Sequence, residues 1–206
     1  MASIVTVCNN ALMLVKTKKT ITNLETDNTT ESNACEVIYS ELRDTMLEVH
    51  QWNFAVKRQK LGKLESTPNF EWDHAYQLPS DFLRLITVHA GSSGGDRVAY
   101  KLEGGQVVTD AADLYLRYVS RVEDPNLMTA TFRTALAKLM SSRLAVGLAN
   151  DKVLAAELYR QYIDEDLPVA KSADSLQDMP EQMPESEWIG VRNGGSLKYE
   201  VTDSSS

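Results

Sequence analysis

The side chains that most often carry chemistry are scattered along this sequence and form no recognised catalytic motif. The three histidines, His50, His74 and His89, lie in separate predicted elements, without an HExxH pattern or an i, i+4 pair. Zinc sites are usually built from such local pairs, so we expect these histidines to be structural. The sequence also contains no GxSxG elbow, no Walker loop and no GxGxxG loop.

Neither the glycines nor the carboxylates of this sequence are arranged in the pattern of a known type of catalytic site. The stretch from Gly91 to Gly95 precedes a predicted strand, whereas a phosphate-binding loop opens a helix. Glu71 and Asp73 flank Trp72, but a glycosidase needs two carboxylates about 5 to 9.5 Å apart across a sugar cleft. The spacing selects no such pair, so a cell-wall-degrading hydrolase is kept only as the alternative function. We predict no enzyme, and no catalytic residue, cofactor or metal.

Length and composition are those of an ordinary soluble protein of one domain, or one domain with an elaboration. The 206 residues include 43% hydrophobic and 24% charged residues, with a formal net charge of −8. No apolar run approaches the roughly 20 residues that span a bilayer, and the first nine residues show no signal pattern. We therefore expect a protein made in a cytoplasm, without a membrane partner. Its acidity disfavours DNA as a surface ligand, although DNA could slide past an acidic wall.

Two smaller features allow more than one interpretation. Cys8 and Cys35 lie among apolar residues of predicted helices, so buried free thiols are expected ahead of a disulfide or a metal site. A basic run follows the second predicted helix. It could be a solvated edge strand protected by lysines, a charged contact to a neighbouring subunit or, third, a nucleic-acid contact. The run consists of Lys57, Arg58, Lys60 and Lys63.

Hydrophobic periodicity predicts helices at both ends of the chain and strands between them. The predicted helices cover about residues 3–18, 29–50, 125–148 and 152–173. Asn28 and Glu31 are expected to cap the second helix, and Pro168 to kink the fourth or end it early. Alternation and turn signals predict strands over 54–60, 84–89, 98–102, 106–109 and 114–119. The turn Glu103-Gly104-Gly105 indicates a hairpin.

This order predicts a mainly helical α+β fold. Residues 1–50 and 122–173 would form a four-helix bundle, with residues 51–121 as an inserted antiparallel β region. Residues 174–206 have no sustained period and predict an extended C-terminal tail. Trp188 in that tail suits either docking on a partner or packing back onto the chain's own helices.

Two segments carry a resemblance to a known family. The first is Trp52-Asn53-Phe54-Ala55, and the second is AYQLPSDFLRL from Ala75 to Leu85. Asn-Ala-Cys-Glu at 33–36 and Trp-Ile-Gly-Val-Arg at 188–192 add to them. Placed after two N-terminal helices, these motifs resemble the tail tubular protein A type of head-to-tail adaptor of tailed bacteriophages. The sequence Lys-Thr-Lys-Lys at 16–19 departs from the family's glycine turn after the first helix.

The resemblance implies a structural role in the neck of the virion, with assembly in the host cytoplasm. Family members form a ring, typically a dodecamer, between the portal protein and the tail nozzle, and DNA passes through the lumen without specific binding. The C-terminal segment grips the portal, which assigns portal binding to Trp188, Ile189 and Arg192. Large apolar and stiff residues are expected to fix the junction between helices and β region. These are Trp52, Phe54, Tyr76, Leu78 and Pro79. A free interaction module unrelated to phage is a third hypothesis.

Overall fold

The structure, a computed structural model, describes residues 2–17, 19–92 and 97–177. Within these ranges the chain is an α+β protein with four helices, the last interrupted by a π-helical turn, and two small antiparallel sheets. The predicted fold class is therefore confirmed at this level. None of the helices in the described ranges is both long enough and apolar enough to cross a membrane.

The first two helices are α1 (Ile4–Leu14) and α2 (Thr30–Val49). The predicted N-cap of α2 is wrong by one residue, because the side chain of Thr29, and not that of Asn28, accepts the N–H of Ser32 at 3.1 Å. An N-cap residue needs an extended backbone. Thr29 has one, with φ −90° and ψ 159°, whereas Asn28 has a φ of +33°.

The first sheet consists of β1 (Val56–Lys60), β3 (Phe82–His89) and β6 (Tyr115–Ser120), in the order β1-β6-β3. Both pairs are antiparallel, and two register shifts bend β3. The strand predicted from Phe54 begins later, because Asn53–Ala55 forms a 3-10 turn closed by bonds from Ala55 and Val56 N–H to the Trp52 carbonyl.

The second sheet consists of β2 (His74–Gln77), β4 (Lys101–Glu103) and β5 (Gln106–Thr109), in the order β2-β5-β4. The predicted hairpin is confirmed, since Gly104 and Gly105 take the positive φ values of +55° and +78° that such turns need. The sequence analysis did not find β2. The strand predicted over 98–102 is shifted, because pairing with β5 begins only at Lys101.

Helix α3 (Ala130–Ala149) begins later than predicted. Its N-cap is Thr129, and the residues from Asp124 to Met128 form turns held by bonds such as Leu127 N–H to the Asp124 carbonyl, 3.1 Å. Asn150 ends the helix with a left-handed φ of +49°. Helices α1, α2 and α4 all contact α3, whose buried residues lie around most of its circumference.

The last helical stretch runs through α4 (Lys152–Gln161), a π-helical turn (Tyr162–Asp166) and α5 (Leu167–Ser175). The helix does not end early at Pro168, as one of the two predicted alternatives had it, but continues to Ser175. In the π-helical turn the N–H of Leu167 reaches the Tyr162 carbonyl, five residues back. This wider turn lets the helix continue past the missing N–H of Pro168. Asp174 and Ser175, predicted to begin the tail, are still helical.

Two hydrophobic cores hold these elements together. The larger core lies among the helices and extends to one face of the first sheet through Val119. The smaller core lies between the two sheets and includes Leu116 and Tyr118, which neighbour Val119 on β6. Because successive side chains of a strand point to opposite faces, β6 contributes to both cores. The first sheet is thus the middle layer of the described fold.

Candidate functional site

An aromatic cluster marks the junction between α2 and β1. Trp52 is fully buried, and its indole Nε1 donates to the Met46 carbonyl at 2.9 Å. The Trp52 ring lies edge-on to Phe132 of α3, with centroids 5.0 Å apart, and stacks on Phe54 at 6.1 Å. Since each ring buries a large apolar area, this cluster ties the strand's entry point to the central helix.

Asp174 joins the end of α5 to the same junction. Both of its carboxylate oxygens accept the backbone N–H of Asn53 at 3.1 Å, and Asn53 Nδ2 donates to the Asp174 carbonyl at 3.0 Å. His50 Nε2 lies 3.5 Å from the carboxylate, and burial lowers the pKa of His50 despite this neighbour. Sequence reasoning missed Asp174 because it assigned this residue to the tail. The helical spacing of Leu167, Ala170 and Asp174 was the available signal.

Two of the other predicted junction residues, Tyr76 and Leu78, belong to the smaller core. The Tyr76 hydroxyl is within 2.7 Å of the Ala111 and Ala112 carbonyls, and Leu78 packs against the same core. The Phe82 N–H donates to the Pro79 carbonyl at 3.0 Å, which closes the turn into β3. The predicted junction residues therefore do not form one junction: Trp52 and Phe54 belong to the larger core, Tyr76 and Leu78 belong to the smaller core, and Pro79 lies in the turn before β3.

Asp81 connects all three strands of the first sheet. Lys57 of β1 binds its carboxylate at 2.6 Å, the Tyr118 hydroxyl of β6 donates to it at 3.0 Å, and the Arg121 N–H donates to its carbonyl at 2.7 Å. Burial acts to raise the pKa of Asp81, but the hydrogen bonds from Lys57 and Tyr118 outweigh it and lower that pKa. Burial, followed by the bond to Asp81, raises the pKa of Tyr118 to about 12. These bonds tie the end of β3 to β1 and β6.

The candidate reactive side chains remain apart or are enclosed. His50, His74 and His89 lie on the α2 C-cap, β2 and β3, and no group of three His, Cys, Asp or Glu within the described ranges could hold a metal ion. Cys8 and Cys35 are free and fully buried. The hydrogen bond between the two thiols, together with burial, raises the pKa of Cys8.

The basic run of the sequence divides between the two faces of β1. Lys57 points to the face that holds Asp81, whereas Arg58 and Lys60 lie on the opposite face, with Lys60 2.8 Å from Asp113. Lys63 lies beyond the strand, where its Nζ is 3.4 Å from Nε2 of His74. The basic side chains of the run are therefore distributed over both faces of β1 and do not form one continuous patch.

Helices α3 and α4 expose an apolar groove. Most of its walls are apolar, formed by Val146 and Gly147 of α3 and by Ala155, Ala156 and Tyr159 of α4, and the polar Ser142 and Arg143 of α3 complete them. Val146 and Tyr159 are 45% and 47% exposed. A Cβ atom added to Gly147 would meet no other atom within 4 Å, so the groove is open there. We call this surface the α3–α4 groove. Uncovered apolar surface of this kind is typical of protein–protein contacts.

A second apolar projection lies at the far end of the β region. The loop before β2 carries Phe70, which is 75% exposed, and Trp72. This loop borders a shallow groove that also includes Glu71, Lys101 and Glu103. Glu103 is bound by Lys101 at 2.8 Å. The carboxylates Glu71 and Asp73, which the sequence offered for a hydrolase, do not both line this groove.

The predicted portal-binding residues Trp188, Ile189 and Arg192 lie outside the described residues. No protein-family model matches this chain, and no curated protein matches it. Functional inference therefore depends on the two cores and on the exposed surfaces of the described ranges. Several of these surfaces expose apolar side chains, among them the α3–α4 groove and the Phe70 loop.

Proposed function

We propose that the protein is a structural adaptor of a tailed phage, forming a ring between the portal protein and the tail nozzle. The observation that carries this proposal is the α3–α4 groove, an apolar surface on a protein whose net charge is −8. A ring requires two different surfaces on each copy that meet head to tail. The order of helices, β region and helices and the motif pair around Trp52 and Tyr76 support the same assignment.

A second exposed surface is available for the head-to-tail contact. Met13 of α1 and Val37 of α2 are 70% and 72% exposed. In the proposed ring, the α3–α4 groove of one copy packs against the surface around Met13 and Val37 of the next. The helices around α3 act as a four-helix bundle that surrounds the channel. DNA passes through a lumen of net negative charge without binding.

The two ends of the adaptor contact other virion proteins in this proposal. The Phe70 loop meets the tail nozzle, because it projects an apolar ring from the β region. Trp188, Ile189 and Arg192 bind the portal, as the resemblance implies. The ring contact and the nozzle contact together account for the exposed apolar side chains of the α3–α4 groove, of the surface around Met13 and Val37, and of the Phe70 loop.

Assembly with the portal tests the ring. We expect the full chain mixed with its portal protein to give a complex whose mass, measured by mass photometry, corresponds to a ring of copies. Tyr159→Glu should abolish the ring because it places a charge in the α3–α4 groove. Tyr100→Glu, at a residue 40% exposed in the β region, is the matched control and should leave the ring intact.

Portal attachment tests the C-terminal contact separately. Trp188→Ala and Arg192→Glu should weaken attachment without changing helical content measured by circular dichroism. The proposal fails if the chain never joins a portal complex at any concentration, or if Tyr159→Glu assembles like the unaltered protein. Loss of turbidity from a peptidoglycan suspension would support the hydrolase instead.

A further inference from the structure

The face of the first sheet that carries Val119 packs on the helical core at one end and concentrates positive charge along the rest of its length. Arg58 and Lys60 of β1, Arg84 of β3 and Arg117 of β6 share this face, because their register partners and two-residue spacing place them on one side. Arg97, which bridges to His89 at the end of β3, lines the same groove as Arg58, Lys60 and Arg117. We call Arg58, Lys60, Arg84, Arg97 and Arg117 the basic face.

The pairing within this face is unfavourable without a counter-charge. Arg58 lies directly opposite Arg117 in the β1–β6 register, and like charges in such cross-strand positions repel each other. Asp113 binds Lys60 at 2.8 Å, and Asp174 lies beside Arg84 at the helical end of the face. Arg58, Arg97 and Arg117 have no ion pair to another residue of the described ranges. A negatively charged partner would remove the repulsion between Arg58 and Arg117.

Several buried polar atoms along the same face also lack a hydrogen-bond partner among the described residues. Arg84 Nε, Arg117 Nε and Thr87 Oγ1 are buried and have no hydrogen-bond partner among the described residues. Thr87 is the register partner of Arg117, so their polar groups lie side by side. A buried donor without an acceptor is unfavourable. Carboxylate oxygens, which only accept hydrogen bonds when ionised, are suitable partners for all three groups.

The chain itself leads an acidic segment to this face. Arg84 lines a common depression with His50, Asp174 and Ser175, so helix α5 ends beside the basic face. Residues 178–187 follow within three residues. They carry no lysine or arginine and four carboxylates, those of Asp178, Glu181, Glu185 and Glu187. A segment tethered so close to a complementary surface has a high effective concentration there.

We propose that residues 178–187 bind the basic face of their own copy, with their carboxylates accepting hydrogen bonds from its arginines. The length of the segment is sufficient. From Arg84 to His89 the strand advances about 16 Å at roughly 3.3 Å per residue, whereas ten extended residues reach about 33 Å. A nucleic-acid phosphate would suit the same donors, but the net charge of −8 repels it, whereas the tethered segment needs no encounter.

Zero-length cross-linking of the full chain with a carbodiimide tests this proposal. The reagent joins amines to carboxylates in contact, so Lys60 should become linked to Glu181, Glu185 or Glu187 in addition to Asp113, its partner at 2.8 Å. Lys57 is the matched control, since it lies on the same strand but faces Asp81, and it should link to Asp81 alone. Mixing isotopically light and heavy copies before cross-linking identifies links within one copy by mass spectrometry.

Charge variants decide whether the links report the proposed contact. Arg58→Glu combined with Arg117→Glu should reduce the Lys60 links to the segment at least tenfold, whereas Lys152→Glu, an exposed change on α4, should leave them unchanged. Absence of Lys60 links in the unaltered chain, or links only between copies, would overturn the proposal. Tight binding of a DNA duplex that is lost in the double variant would also overturn it, because the face would then be free.

The inference does not depend on the proposed function. A chain that fails to form rings with a portal would still show the Lys60 links if the segment binds its own copy. Conversely, a ring-forming chain without these links would retain the adaptor assignment and lose only the intramolecular contact. Portal assembly and cross-linking of the isolated chain therefore report on separate claims.

Discussion

The helical core and the β region of this protein satisfy their polar groups differently. Within the described residues, eight buried side-chain nitrogen or oxygen atoms have no hydrogen-bond partner. Two of them, on Glu31 and Tyr39, belong to the helical part. The other six belong to the β region, on Trp72, His74, Arg84, Thr87, His89 and Arg117.

This difference separates stability from contact formation. Around Trp52 the helical core combines large buried rings with a satisfied indole N–H, an arrangement that stabilises the folded chain. Buried donors without acceptors destabilise the β region when nothing is bound.

The largest expected effect is the loss of Trp52. Trp52→Ala should lower the free energy of unfolding by about 3 to 5 kcal/mol, because it leaves a cavity among Phe54, Phe132 and the end of α2. Urea unfolding followed by circular dichroism measures this change. The comparison between the two regions predicts a smaller loss in the free energy of unfolding when a tryptophan of the β region is replaced by alanine.

Trp72→Ala is the matched variant for that comparison. Trp72 is only half-buried, and its indole Nε1 lacks a partner among the described residues, so its removal should lower the free energy of unfolding by less than about 1.5 kcal/mol. Equal losses for Trp52→Ala and Trp72→Ala would show that the two regions contribute alike and would break the comparison.

A hydroxyl inside the β region gives an intermediate effect. Tyr76→Phe removes the group that lies 2.7 Å from the Ala111 and Ala112 carbonyls, and should lower the free energy of unfolding by about 1 to 2 kcal/mol. Tyr100→Phe, at an exposed tyrosine of the same region, should change it by less than about 0.5 kcal/mol. A loss for Tyr76→Phe that matched Trp52→Ala would mean that the smaller core dominates stability.

Periodicity predicted the long elements well because their apolar residues recur along one face. The spacing located α1, α2, α3 and α4, and strands β3 and β6 followed from alternation. Residue-type preferences gave wrong predictions at the ends of helices. Asn28 is a good N-cap by residue type, but it has a positive φ, and the N-cap is Thr29, whose backbone is extended. Pro168 breaks helices in general, but a π-helical turn ahead of it lets α5 continue.

The sequence predicted only those contacts of the candidate site whose residues are close together along the chain. The aromatic pair Trp52 and Phe54 could be read from the sequence, because both residues lie in a single short segment. The bond between Asp174 and Asn53 spans 121 positions, and the opposition of Arg58 and Arg117 depends on a strand register. Neither follows from local spacing, because long-range pairing is fixed by the packing of the whole fold.

The smallest expected effect is a pH dependence carried by His50. Burial lowers the pKa of His50 below its ordinary value of 6.5, so the unfolded chain binds a proton more readily than the folded chain. The stability that comes from the neutral His50 is fully present above pH 6.5 and is lost as the pH falls from there through the lower pKa of the folded state. The free energy of unfolding, measured in urea, should therefore be lower at pH 5.5 than at pH 7.5, and His50→Gln should flatten this slope. His74→Gln, on the β side, should retain it. If the pH dependence of the free energy of unfolding remained in His50→Gln but was lost in His74→Gln, the pH-sensitive contact would lie in the β region and not in the helical core.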